Sequence, residues 1–238
     1  MSTEQPLRLF TTPLHACPYL PDRWARDAVA DPDYPMSPAV YGALLERGMR
    51  RSGPNVYAPV CPGCSACQSL RIPVERFRPD RTQRRCWRRN ADLRAIDQPA
   101  EFRREHFALY KRYLAARHPD GPMVDHDPDD WLGFLTADWA DTRFVEFRRG
   151  AALLAVAVVD RVPGALSAVY TFFEPEEHRR SLGTHAILWQ IDAAQRTGCP
   201  YLYLGYWIAE SGKMRYKAAF RPCEVYHDGR WREHDAGR

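Results

Sequence analysis

Three consecutive apolar runs, TRFVEFRRG (142–150), ALLAVAVVDRV (152–162) and ALSAVYTFFE (165–174), predict strands, separated by tight breaks at Arg149-Gly150 and Pro163-Gly164. Breaks this short make them an antiparallel meander. SLGTHAILWQIDAAQRTG (181–198) then repeats its apolar positions at helical spacing, with Gly198 at the C-terminal cap. CPYLYLGYWI (199–208) is β-prone, KMRYKAAF (213–220) predicts a short helix, and PCEVYHDGRWREH (222–234) predicts a strand pair turning at Asp228-Gly229.

The segments before residue 140 are shorter and more mixed. LRLFTT (7–12) predicts a strand, and SPAVYGALLERGMR (37–50) a helix capped by Ser37 with Pro38 in its first turn. NVYAPV (55–60) and SLRIPV (69–74) predict strands flanking a cysteine loop, and RTQRRCWRRNADL (81–93) predicts a helix with an arginine face. EFRREHFALYKRYLAARH (101–118) is helical in pattern, with His106, Tyr110, Tyr113 and Arg117 on one side. DPDDWLGFLTAD (127–138) is another helix, capped by Asp127.

The expected fold class is therefore α+β. A Cys- and Arg-rich N-terminal domain (1–98) would precede an antiparallel-sheet domain with flanking helices (99–238). Meander, long helix, then another strand resembles the acyltransferase fold of the GCN5-related N-acetyltransferases, a GNAT-like arrangement. That family holds a pyrophosphate at the start of the helix after the meander, on an Arg/Gln-x-x-Gly-x-Gly/Ala loop. Here the loop runs from Arg180 through Gly183 to His185 and lacks the second small residue, which argues against an ordinary acetyl-CoA donor.

An apolar share of 45% gives ample core, and the longest apolar run, Ala151 to Val159, is strand length and too short for a membrane span. The N-terminal MSTEQPLRLF has no basic start followed by an apolar core, so a cytoplasmic chain with reduced thiols is expected. Residues 71–94 hold nine arginines against Glu75, Asp80 and Asp92, in a chain of net charge +4. Such a patch points to a polyanion or an acidic ligand. The plain alternative is a GC-rich genome, since Arg outnumbers Lys throughout. Two of the three lysines, Lys213 and Lys217, lie four apart in GKMRYK, where a compact ammonium differs from a guanidinium.

Six stretches in order resemble the aminoacyl-tRNA–protein transferases, the N-end-rule enzymes that add an amino acid to a protein's N-terminus. They are HACPYLPDR (15–23), YGALLERGMRRSG (41–53), YAPVCPGCSAC (57–67), RIPVERFRPDRTQRRCWRRN (71–90), RHPDGPM (117–123) and YLYLGYWIAESGKMRYKAAFRPCE (201–224). Short length and a single cysteine in ACPYLP resemble the bacterial branch. That resemblance implies transfer of Leu from Leu-tRNA onto proteins with N-terminal Asp or Glu, which marks them for degradation. An arginyl-tRNA donor on the same acceptors is the alternative. The chemistry is aminolysis of an activated ester, which requires no ATP, metal or acyl-enzyme, only positioning, proton removal and oxyanion stabilisation.

On that reading Arg78, Arg81, Arg84 and Arg85 supply the pocket for an acidic residue or part of the tRNA path, against a solvated helix face as the plain alternative. His118, with Arg117 beside it, takes the amine proton or binds the substrate terminus. Tyr206 and Trp207 lie where the acyltransferase fold opens its central strands, with core packing as their rival role. Lys213 and Lys217 are assigned to tRNA phosphates, and His185 faces the acceptor end of the tRNA. Cys17, Cys61, Cys64 and Cys67 form a possible four-ligand set for zinc or an iron–sulfur cluster. Buried thiols shaping a tight loop are the preferred reading, and no cofactor is required. Other classes remain open. An acetyl-CoA N-acetyltransferase is disfavoured by the donor loop. An RNA-binding module leaves the second half unexplained, and a zinc ribbon would need another Cys-x-x-Cys pair.

Overall fold

The computed structural model describes residues 6–119 and 121–234. In chain order the elements are β1 (Leu9–Thr11), β2 (His15–Ala16), β3 (Trp24–Ala25), β4 (Asp27–Ala30), α1 (Pro38–Glu46), β5 (Arg50–Ser52), β6 (Asn55–Pro59) and β7 (Gln68–Pro73). Then come α2 (Arg81–Arg89), β8 (Arg94–Pro99), α3 (Arg104–Arg117), α4 (Pro128–Leu135), β9 (Asp141–Arg149), β10 (Ala152–Val162) and β11 (Ala165–Phe173). The chain closes with α5 (Leu182–Arg196), β12 (Tyr201–Trp207), a 3-10 turn at Arg215–Ala219, β13 (Glu224–His227) and β14 (Arg230–Glu233).

Local chemistry sets the ends of these elements. The Ser37 hydroxyl accepts from the Val40 amide, and Asp80 and Asp127 each form a reciprocal capping box. Gly198 follows α5 at φ +70°, and Asp228 and Gly229 take φ values of +50° and +75° between β13 and β14, as a primed hairpin turn requires.

The strands form a mixed eight-stranded sheet in the order β14-β13-β7-β12-β11-β10-β9-β8, a four-stranded sheet β1-β4-β6-β5, and the small pair β2-β3. The α+β class and the antiparallel meander β9-β10-β11 are as expected. The division at residue 98 does not match sheet membership. β7 lies between β13 and β12 in the large sheet, and β8, which spans the boundary, forms its edge. The two strands flanking the cysteine loop thus belong to different sheets.

Cores lie on both faces of the large sheet. On one face α2 and α5 bury Cys86, Leu188 and Ile191 against Ile72, Phe147, Ala155 and Ala157. On the other, α3 and α4 pack Leu109, Leu114 and Trp131 against Phe144, Val156 and Phe172. Farther along that second face α1 and the four-stranded sheet pack Tyr41, Leu45 and Val56 against Val162 and Tyr203. Arg51 ties this last unit to the meander. Its guanidinium, fully buried, donates to both Asp160 oxygens (2.6 and 2.7 Å), to the Thr142 hydroxyl and to the carbonyls of Gly53 and Leu135. No helix among the described residues is long and apolar enough to cross a membrane.

Candidate active site

The sheet opens at one seam. β11 and β12 run parallel and pair only over Ala165–Ser167 and Tyr201–Tyr203. Beyond that, β11 pairs onward only with β10, and β12 pairs onward only with β7 after a bulge at Tyr203/Gly205. The diverging strands leave a cleft on the second face, between the α3 unit and the four-stranded sheet.

Strand alternation decides what faces this cleft. In the β5-β6 hairpin Arg50 is registered opposite Tyr57 and Arg51 opposite Val56. Successive residues of a strand point to opposite faces, so only one of the two arginines enters the Asp160 network. The other, Arg50, lies over the rings of Tyr57 (5.9 Å) and Tyr206 (5.8 Å) and makes no hydrogen bond or ion pair with a described residue. Gly205, at φ +69°, leaves it room: a Cβ there would sit 3.4 Å from Arg50 Nη1. A second cation, Lys217, is within electrostatic reach of Arg50, and its Nζ donates to the Tyr206 main-chain oxygen at 2.7 Å. Burial, with Arg50 nearby, pushes the Lys217 ammonium down to about 7.

The opposite wall is aromatic. Tyr113 meets Phe173 edge-on at 4.9 Å and Tyr170 at 6.4 Å, and Tyr216 lies within electrostatic reach of both Tyr113 and Arg50. At the rim the ring of His118 lies 5.7 Å from Tyr113, and Arg117 sits over Phe173. Burial first, then the charges of Lys213 and Arg117, lower the His118 pKa. His118 is thus a neutral imidazole at pH 7, able to accept a proton. His118 closes α3 at its C-terminal cap, and Arg117 is in the last turn. Asp120 of the RHPDGPM stretch lies outside the described residues.

Behind Tyr57 and Tyr206 a cavity of about 460 Å³ opens, lined by His15, Cys17, Tyr19, Asp27, Asn55, Cys61 and Cys67 among others. Cys64 and Cys67 differ in chemistry. The Ala66 amide and then the Arg23 guanidinium (3.3 Å) lower the Cys64 pKa, whereas burial raises Cys67 to about 12. Cys61 donates weakly to the Arg26 carbonyl at 3.7 Å. Among the described residues no three His, Cys, Asp or Glu side chains converge as a metal site. As placed, Cys64 accepts from Arg23, Cys61 donates to a carbonyl, and the half-buried Cys67 is within electrostatic reach of Cys17, Cys61 and Cys64.

Several expected positions are elsewhere. His118, Arg117 and exposed Lys213 do come together. Lys217 is not a surface phosphate contact, since its amine turns inward onto β12. Tyr206 is buried, and its hydroxyl donates to the carbonyls of Tyr57 (2.9 Å) and Gly48 (3.3 Å). Trp207 faces the core shared with α5, its ring 4.5 Å from that of His234. His185 is also core. It is wedged between Trp87 (5.4 Å) and Phe147 (5.2 Å), and burial pushes its pKa down to about 4, so it cannot face a tRNA end. Gly183, in the same loop, is needed for close packing, because a Cβ would meet Phe173 at 3.3 Å.

The arginines of α2 lie on the opposite face of the sheet from the cleft. Arg81, Arg84 and Arg85 are exposed, with Arg84 donating to the Pro79 carbonyl. Arg78 caps the carbonyls of Glu75 and Phe77, both at 2.7 Å. They form no pocket with His118 and Arg117. Arg50, Tyr57 and the aromatic wall were missed. The available signal was the Gly53 turn, which makes MRRSGPNVYAP a hairpin and places Arg50 and Tyr57 on one face.

Two family models match successive parts of the chain. The model for "Arginine-tRNA-protein transferase, N terminus" matches residues 15–85, and that for its "C terminus" matches residues 105–227. An aspartate/glutamate leucyltransferase of Nitrosococcus oceani is 52% identical over 93% of this chain and 94% of its own length. One from Halorhodospira halophila is 51% identical over 95% and 97%, respectively. Among solved structures, the C-terminal domain of a putative lysylphosphatidylglycerol synthetase from Agrobacterium fabrum superposes with a TM-score of 0.52 at 14% identity. The match covers 67% of this chain and 58% of that one, a likeness of fold alone. A chain matched by both halves of the family model, and sharing half its residues with members along nearly its whole length, belongs to the arginine-tRNA-protein transferase family.

Proposed function

We propose that this protein moves leucine from Leu-tRNA onto the α-amine of proteins that begin with Asp or Glu, marking them for degradation. The carrying observation is the cleft at the β11/β12 seam, where Arg50 and Lys217 stand among tyrosines with no carboxylate partner among the described residues. The names of relatives about half identical to this chain support the donor and acceptor. Charged tRNA is found in the cytoplasm, and so, on this reading, is the enzyme.

The meander, α5 and the diverging parallel pair β11/β12 support a GNAT-like reading, with the ester carbonyl placed in the seam. The acceptor's free amine attacks that carbonyl, the C–N bond forms, and the ribose oxygen departs with a proton. His118 takes the proton lost by the attacking amine; burial, then the charges of Lys213 and Arg117, keep the imidazole neutral beforehand. Tyr206 fixes the Tyr57 backbone, and with it the wall of the cleft. No step uses a metal or a cluster, and the thiols of residues 61–67 shape the loop behind the cavity. The α2 arginines form a phosphate track on the far face.

The test is transfer of labelled amino acid from Leu-tRNA and Arg-tRNA to peptides differing only in residue one. Leucine on Asp and Glu peptides, and not on Ala, is the expected result. Arginine transfer would move the donor. Tight tRNA binding with no transfer from either would leave an RNA-binding module.

A further inference from the structure

We propose that Arg50 is the receptor for the side-chain carboxylate of the acceptor's first residue. This rests on the transferase reading above and names the group that gives it acidic specificity.

The argument starts from what Arg50 lacks. A guanidinium drawn out of bulk water normally takes a carboxylate or several carbonyls, as Arg51 does one residue later. Arg50 takes none, yet it is held firmly. Tyr57 and Tyr206 contact it at 5.9 and 5.8 Å, and each ring is fixed in turn, by cross-strand register and by the Tyr206 hydroxyl on the Tyr57 carbonyl. The backbone opposite is a glycine whose Cβ would crowd Nη1. None of its nitrogens is among the buried polar atoms left unbonded, so its free N–H groups reach open space. A rigid, partly dehydrated fork of this kind suits bidentate binding of a carboxylate.

Position selects the ligand. Arg50 lies over Tyr57 and Tyr206, two rings of the cavity wall, and within electrostatic reach of Tyr19, another wall residue, and of Lys217. An acidic side chain seated there leaves its own α-amine, a few bonds away, facing the seam. Asp27 also lines the cavity, and burial raises its carboxyl above the ordinary carboxylate value. Lys217, when protonated, adds a second positive charge, and a bound carboxylate favours that form and relieves the repulsion between the two. A tRNA phosphate meets exposed arginines on α2 and has no need of a recessed pair.

The experiment compares wild type, Arg50→Gln and Arg50→Lys on Glu- and Gln-starting peptides of otherwise identical sequence. Arg50→Gln should lower kcat/KM for Glu and Asp peptides by on the order of 100-fold, mainly through KM, with the Gln peptide little changed. The preference for Glu over Gln then collapses. Arg50→Lys should keep part of that preference. Retained preference in Arg50→Gln, at any overall activity, overturns the proposal. So does a loss shared by all acceptors together with weaker Leu-tRNA retention on filters, which would make Arg50 a phosphate contact. Calorimetric binding of the same peptides, without tRNA, separates this inference from the transferase reading. If wild type transfers nothing yet binds the Glu peptide over the Gln peptide, and Arg50→Gln does not, the receptor stands and the reaction does not. Equal binding of both peptides by wild type overturns the receptor even where transfer occurs.

Discussion

Arg50 and Arg51 are consecutive in one strand and point to opposite sides: Arg51 is fully buried against Asp160 at 2.6 Å, and Arg50 lies between Tyr57 and Tyr206 facing an open cleft. Their contributions to stability should differ accordingly. Arg51→Met leaves Asp160 as an uncompensated buried charge and should cost about 3–5 kcal/mol. Arg50→Met strips no partner and should cost less than about 1 kcal/mol. Urea unfolding of the two variants measures the contrast. Equal losses would contradict the separation of structural from cleft-facing arginine.

His185 predicts an acid-side weakness. Its folded pKa is depressed to about 4, because Trp87 and Phe147 enclose the ring. Above the ordinary value near 6.5 both folded and unfolded imidazoles are neutral. As pH falls from there towards 4 the unfolded chain binds a proton that the folded one does not, so stability is lost through that window. His185→Leu should remove this contribution, worth up to about 3 kcal/mol at pH 4. The measurement is unfolding free energy of both proteins at pH 7 and 4.5, and the gap between them should shift towards the variant at the lower pH.

Lys217 makes the corresponding prediction on the alkaline side. Below about 7 the ammonium is charged in both states, and the cost of holding it beside Arg50 is fully present. From there up to the ordinary lysine range the folded amine is neutral while the unfolded chain keeps its proton. The stability of wild type relative to Lys217→Met should therefore rise with pH from 7 to 10, by at most about 1.4 kcal/mol per pH unit. Urea midpoints at pH 6.5, 8 and 9.5 check it, and a difference that does not change with pH would contradict it.

The exposed arginines of α2 should act on tRNA and leave acceptor choice alone. Reversing Arg81 and Arg85 to Glu should weaken Leu-tRNA binding and flatten its dependence on salt, by roughly one unit of log–log slope per lost phosphate contact. The ratio of rates on Asp and Asn peptides should not move. Filter retention across a salt series, with peptide kinetics alongside, tests both halves. A changed acceptor ratio would return these arginines to the acidic pocket.

Much of this protein was legible before any fold was known, because the responsible interactions are local. Ser37, Asp80, Asp127, Gly198 and the Asp228-Gly229 turn act within four residues of themselves, and the meander declares itself by apolar runs and tight breaks. The family, too, is carried by short ordered motifs. What the order of residues could not decide is which surfaces face each other. β6 and β7 read as a matched pair around a cysteine loop, yet they pair into different sheets, since a strand's edges accept any partner that packing brings. His185, Trp207 and Lys217 have the residue types of a site, but distant aromatic rings and a main-chain carbonyl turn them inward. The choice between Arg50 and Arg51 depends on which face of one short strand meets Asp160 and which meets the seam between β11 and β12. Alternation makes the two arginines opposite, and only the tertiary structure says which one is left to bind.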